Sequence, residues 1–130
     1  MWGPKPKSVW DRGERAAARH MRRAGCTILA RNYRLPIGEI DLLCCERSSG
    51  TIVIVEVKAR EYEPEQTKAI DPTASITSKK RTKLVQLAKA LKRQPQYTRS
   101  PIRIDVVSVR FERGSKKPQI RHYPGCVSDS

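Results

Sequence analysis

Acidic residues are scarce in this chain, aromatic residues scarcer still, and no apolar run is long enough to cross a bilayer as a helix. One Phe, two Trp and four Tyr leave the core to Ile, Val, Leu and Ala. The stretch Met1-Trp2-Gly3-Pro4-Lys5-Pro6-Lys7 carries charge but no apolar segment of export-signal type. We therefore expect a cytoplasmic protein that is not embedded in a membrane. Cys26, Cys44, Cys45 and Cys126 form no Cys-x-x-Cys pair and fit no zinc spacing, so reduced, packed thiols are expected. Cys44 and Cys45 are neighbours on a strand pattern and would face opposite ways, which argues against a bridge between them.

The shortage of acids sets the sign of the molecule. Thirteen Asp and Glu against 27 Lys and Arg give a net charge of +14 in 130 residues. Such an excess attracts polyanions, and without a membrane segment nucleic acid is the favoured partner. A highly charged, merely soluble surface is the ordinary alternative. The length suits one domain, with no internal repeat. We place that domain at 11–124, after a basic, Pro-containing lead (1–10) and before a short tail (125–130).

Periodicity and breakers predict the elements. Asp11 can cap a helix that runs to about Ala24 and stops at Gly25, with Ala17, Ala18 and Met21 as its apolar stripe and Glu14 one turn earlier. A strand from Cys26 to Tyr33 should bury Ile28 and Leu29. Gly38 to Cys45 and Thr51 to Ala59 read as a hairpin, apolar on both faces and so central in a sheet. Glu61 to Ala74 is a long connection without clear period. Thr77 or Ser78 caps a helix from Lys79 to about Arg93, which buries Leu84, Val85, Leu87, Ala88 and Leu91. Strands Ile102 to Phe111 and Gln119 to Tyr123 complete the order α-β-β-β-α-β-β, an α/β fold with a central mixed sheet flanked by helices.

Two short stretches within the hairpin carry chemistry. Gly38-Glu39-Ile40-Asp41 and Glu56-Val57-Lys58 place charge inside apolar strand runs, where it is costly unless something uses it. With the turn centred between Ser48 and Ser49, Asp41 faces Glu56 at about 5 Å between Cα atoms. Carboxylates so placed repel each other. Lys58, two residues on, returns to the same face. Hard carboxylate oxygens favour Mg²⁺ or Mn²⁺, which bind phosphate oxygens and activate water. An ammonium at Lys58 can orient that water or stabilise charge on the phosphate. Glu14 can join as a ligand or hold a metal-bound water. The ordinary account is an exposed Glu56–Lys58 ion pair and a surface acid at Glu14.

With these residues in place, the chain resembles the YraN-like family. The resemblance rests on Gly13-Glu14 with Ala17, Ala30-Arg31-Asn32-Tyr33-Arg34, Gly38-Glu39-Ile40-Asp41-Leu42 and Val55-Glu56-Val57-Lys58-Ala59-Arg60. Ser75-Ile76-Thr77 followed by Lys80, and Arg103-Ile104-Asp105-Val106-Val107, extend it over nearly all of Asp11 to Phe111. That family is similar to Holliday-junction resolvases, within the restriction-endonuclease-like PD-(D/E)XK nucleases. The resemblance implies metal at Asp41 and Glu56, a catalytic Lys58, and Glu14 as the first-helix acid. Ile40 stands where the superfamily often has Pro, and His122-Tyr123-Pro124-Gly125-Cys126 departs from an expected apolar-aromatic finish.

Lys79, Lys80, Arg81 and Lys83 put cations at a helix start, against the macrodipole, where free amides would welcome phosphate. With Arg60 and Arg34 they are the candidate DNA contacts, Lys80 first. Asp105 suits either support of the site or, more ordinarily, a buried pair with Arg103 or Arg60. His20 and His122 have no sequence partner at ligand spacing, and Trp10 and Tyr33 are expected to pack against the domain more than to stack on bases. The expectation is a metal-dependent DNA endonuclease, with branched DNA as a candidate substrate and a homodimer as its resolvase-like form. The rival is a nucleic-acid-binding module with the same fold and no useful catalysis.

Overall fold

Ser8 opens the first helix, α1 (Val9–Arg23), because its hydroxyl accepts the Asp11 N–H at 3.1 Å. Asp11 is thus not the cap expected of it. It sits in the first turn, where its charge suits the helix dipole. The computed structural model of the chain describes residues 8–63 and 76–128. Most of the basic lead, most of the long connection after Glu61, and Ser75 lie outside the described residues.

Five strands follow the helix in sheet order β1-β2-β3-β4-β5: β1 (Cys26–Leu35), β2 (Gly38–Glu46), β3 (Ile52–Tyr62), β4 (Ile102–Glu112) and β5 (Gln119–Val127). Only β3 and β4 run parallel. Parallel neighbours need a long crossover, and the segment between them carries the second helix, α2 (Ser78–Lys92), capped by Thr77. The α-β-β-β-α-β-β order and the mixed sheet are those expected. Val53, Val55 and Val57 of β3 pack with Ala17, Ala18 and Met21 of α1, while Ile52 and Ile54 pack with Leu84, Leu87 and Leu91 of α2. Helices on both faces explain why β3 reads as an unbroken apolar run.

Three local expectations give way. Leu29 is 43 % exposed, because the β1–β2 register shifts between Ile28 and Ala30 and leaves Leu29 as the extra residue of a bulge on an edge strand. Both outer strands run longer than Tyr33 and Tyr123, to Leu35 and Val127. β5 continues past Pro124 because the register shifts between Ile104 and Val106, and Gly125 (φ 61°) turns its N–H onto Asp105 Oδ1 at 2.9 Å. The thiols are free, with Cys44 and Cys45 packed into opposite clusters, as strand alternation requires.

Candidate metal and catalytic site

The β2–β3 ladder has the predicted register from Cys45↔Ile52 to Leu42↔Val55, and its paired residues end there. One step further stand Asp41 and Glu56. Past the last pair, the Val57 N–H donates to Asp41 Oδ2 at 2.8 Å, so the carboxylate acts as the acceptor a β2 carbonyl would otherwise supply. Alternation also breaks at this point, since Leu42 packs on the α1 side whereas Ile40 packs on the α2 side. On the other flank, Arg31↔Leu42 and Tyr33↔Ile40 bracket Asn32, whose φ of 50° is in the left-handed region that Asn tolerates. Asp41 therefore occupies a splayed stretch of sheet between Asn32 and Glu56.

Glu14 reaches this stretch because Gly13 lets α1 touch β3. A Cβ at Gly13 would lie 2.4 Å from the Ala59 Cβ, so only glycine permits the contact. Glu14 is consequently buried, and its Oε1 accepts from Asn32 Nδ2 at 3.3 Å. Glu56 is 8 % exposed and pairs with Lys80 Nζ at 3.3 Å. Lys58 is half-buried beside Ser108 in the parallel register.

Charge in this cluster is unbalanced. Burial pushes the Asp41 carboxyl up to about 7, the neighbouring Glu56 adds to the rise and Glu14 contributes further, while the Val57 N–H and Lys80 oppose it. A cation would reverse that shift. Asp41 and Glu56 supply hard oxygens, and among the described residues no three His, Cys, Asp or Glu side chains close into a cage. Two carboxylates with waters and substrate phosphate making up the remainder is the donor set Mg²⁺ accepts, so the residues fit Mg²⁺ or Mn²⁺ and not a fully dehydrated ion.

The expected cationic contacts divide. Lys79, Lys80 and Lys83 line one hollow on the outer face of α2, and Lys83 lies across Gly38 at the start of β2. Arg81 points away, toward the Cys126 carbonyl at 3.5 Å. Arg60 is exposed and bonds its neighbour's carbonyl at Ala59, and Arg34 pairs with Glu39 on the surface. Tyr33 packs and donates to Gln94 Oε1 at 2.8 Å, whereas Trp10 is 39 % exposed.

Sequence reasoning missed the histidines. His122 Nε2 donates to Asp105 Oδ2 at 2.7 Å, and its Nδ1 shares a 3.1 Å hydrogen bond with His20 Nε2. Arg103 grips the same carboxylate through Nε at 2.8 Å and Nη2 at 3.0 Å, and reaches Glu46 at 3.2 Å. Burial alone would raise the Asp105 pKa, but bonds from His122, Arg103 and the Gly125 N–H hold it below the usual carboxylate range. This network ties α1, β4 and β5 together and uses Arg103, not Arg60. The apolar frame around Asp105 was the one signal available.

The model of the uncharacterised protein family UPF0102 matches residues 13–109. A UPF0102 protein of Thermosynechococcus vestitus is 37% identical over 119 residues, which cover 90% of each chain. One from Roseiflexus castenholzii is 36% identical over 92% of this chain and 93% of its own. The chain belongs to UPF0102. This is the YraN-like family that the sequence resembles. The UPF0102 match takes in Glu14, Asp41, Glu56, Lys58 and Asp105, and ends before His122. Two solved structures resemble this UPF0102 chain more distantly. One is a repair endonuclease from Pyrococcus abyssi, at TM-score 0.47 and 14% identity, over 82% of this chain and 40% of that one. The other is an EndoMS–dsDNA complex, at TM-score 0.47 and 15% identity, over 80% of this chain and 37% of that one. This chain spans less than half the length of either.

Proposed function

We propose that this UPF0102 protein is a metal-dependent endonuclease that hydrolyses phosphodiester bonds in DNA, working in the cytoplasm. The observation that carries the reading is Asp41, a carboxyl pushed to about 7 beside two further acids in a splayed, apolar stretch of sheet. Asp41 and Glu56 would hold Mg²⁺ or Mn²⁺, with Glu14 adding a ligand or fixing a coordinated water. The ion, when bound, would polarise the scissile phosphate and acidify an attacking water. Lys58 would orient that water and neutralise charge on the phosphate oxygens. Asp41 is held in place by the Val57 N–H, and Glu14 by Asn32. Lys80 pairs with Glu56, and a cation held there would free its ammonium to meet a phosphate.

The net charge of +14 supplies affinity by counterion release, so binding should weaken steeply with salt. No base-reading motif stands out, which favours recognition of DNA shape, such as a branch, over sequence. Resolving a four-way junction with two symmetric nicks would call for a homodimer.

The Lys80–Glu56 pair also favours a second reading, since an ammonium on a candidate ligand suits a nucleic-acid-binding module without catalysis. One experiment separates the two. Branched, flapped, linear and single-stranded DNA are incubated with Mn²⁺ or with chelator, beside Lys58→Ala. Cleavage that requires Mn²⁺ and is lost in Lys58→Ala is expected. Binding without cleavage supports the module, and cleavage indifferent to both chelator and mutation removes the enzyme reading.

A further inference from the structure

Arg15, Arg19 and Arg22 recur at helical spacing on the exposed face of α1, and Arg31 of β1 closes with them around a hollow of about 310 Å³. None of these guanidinium groups has an ion pair or side-chain hydrogen bond among the described residues. Surface arginines normally find a carboxylate when one is near, but no acid lines this hollow. Like charges gathered in a concave surface raise the local positive potential, and that potential favours an anion.

The hollow does not end blindly. A second one, of about 290 Å³, shares Arg15 and Arg31 and adds Trp10, Asp11, Glu14 and Asn32. Trp10 is 39 % exposed, unusual for the larger of the aromatic side chains in a chain with so few. Glu14 and Asn32 are the hydrogen-bonded pair at the edge of the Asp41 cluster, and Glu14 is close enough to contribute to the rise of the Asp41 pKa. The groove thus runs from a purely cationic end to the acids. Its length along α1, from Arg22 to Trp10, is about 18 Å at the helical rise.

We propose that this α1–β1 groove binds an unpaired strand of nucleic acid, with phosphates on Arg15, Arg19, Arg22 and Arg31 and a base stacked on Trp10. A cationic track beside an exposed aromatic ring is the chemistry that holds single strands without regard to sequence. A single strand can turn a base out onto Trp10, whereas a duplex would keep its stacked bases out of reach of it. That the strand is led toward Glu14 for cleavage rests on the nuclease reading above; that the groove binds it does not. The surface is separate from the α2 cations expected to meet DNA, and Arg15, Arg19, Arg22 and Arg31 are none of the residues expected to do so.

The test measures fluorescence anisotropy of a labelled single strand of about 15 nucleotides, and of its duplex, with chelator present so that nothing is cleaved. In the triple variant Arg15→Gln, Arg19→Gln, Arg31→Gln, single-strand affinity should fall at least about tenfold, and the slope of log affinity against log salt should shrink by about 2. Lys116→Gln, Lys117→Gln, Arg121→Gln removes equal charge from exposed positions elsewhere and should cost under about threefold. Trp10→Ala should weaken the single strand about tenfold and Trp10→Phe much less. Equal losses in the two triple variants, or a groove variant that binds like wild type, would overturn the proposal. So would a groove variant that loses duplex affinity as much as single-strand affinity. Absence of cleavage in the Mn²⁺ incubations described above, with groove-dependent binding intact, would sink the nuclease reading alone. No binding by wild type would sink both.

Discussion

Asp41 concentrates the tension in this molecule. Its carboxyl stays protonated up to about 7 in the fold, whereas in the unfolded chain it ionises at about 4. Between those values the folded state holds the extra proton, so the metal-free protein loses stability as pH rises through that window. Asp41→Asn keeps an oxygen for the Val57 N–H and removes the charge. It should raise metal-free stability by about 1–3 kcal/mol at pH 8 and leave it unchanged near pH 4, as denaturant titration at the two pH values would show. Gly13 carries a steric demand of the opposite kind. Gly13→Ala forces a methyl against Ala59, and should cost about 1–3 kcal/mol in the same titration while moving Glu14 off the site.

Elements were more legible than their edges. The hairpin register could be counted from the turn, because Ser48 and Ser49 sit midway between two apolar runs, and it proved right for every paired residue. The burial of Leu29 could not be read. A one-residue bulge turns it outward, and no residue type announces a bulge there. Asn32 did carry a signal, as a residue at ease with positive φ inside a strand, that marks where the sheet opens. The His20–His122–Asp105 network was illegible for another reason: its members are 17 and 102 residues apart, and only the folded sheet brings them together. This network should matter for how α1 docks on β4 and β5. Asp105→Asn leaves Arg103 and His122 without their buried anion and should cost about 3 kcal/mol. Burial, then the His122 and Arg23 charges, depress the His20 pKa, so the folded state resists protonation there. That share of stability is present above the ordinary imidazole value of about 6.5 and is lost as pH falls below it. Thermal melts of wild type and His20→Phe from pH 7.5 to 5.5 should diverge toward the acid end, with wild type losing more.

At the scale of the whole molecule, two helices cover the faces of one twisted sheet, and the acids gather where β2 leaves β3. The excess of positive charge surrounds that gathering on two sides, from α2 through Lys79, Lys80 and Lys83 and from α1 through its arginines. A polyanion drawn to either side meets this gathering of carboxylates, where the proposed dication would sit. Among the described residues, no helix is long and apolar enough to cross a membrane. The most direct measurement is electron paramagnetic resonance of Mn²⁺ titrated into the protein without DNA, for wild type, Asp41→Asn and Glu56→Gln. One ion per chain in wild type, displaced by excess Mg²⁺ and lost in both variants, is the predicted result. Mn²⁺ bound equally by all three proteins, or by none, would contradict the assignment of Asp41 and Glu56 as its ligands.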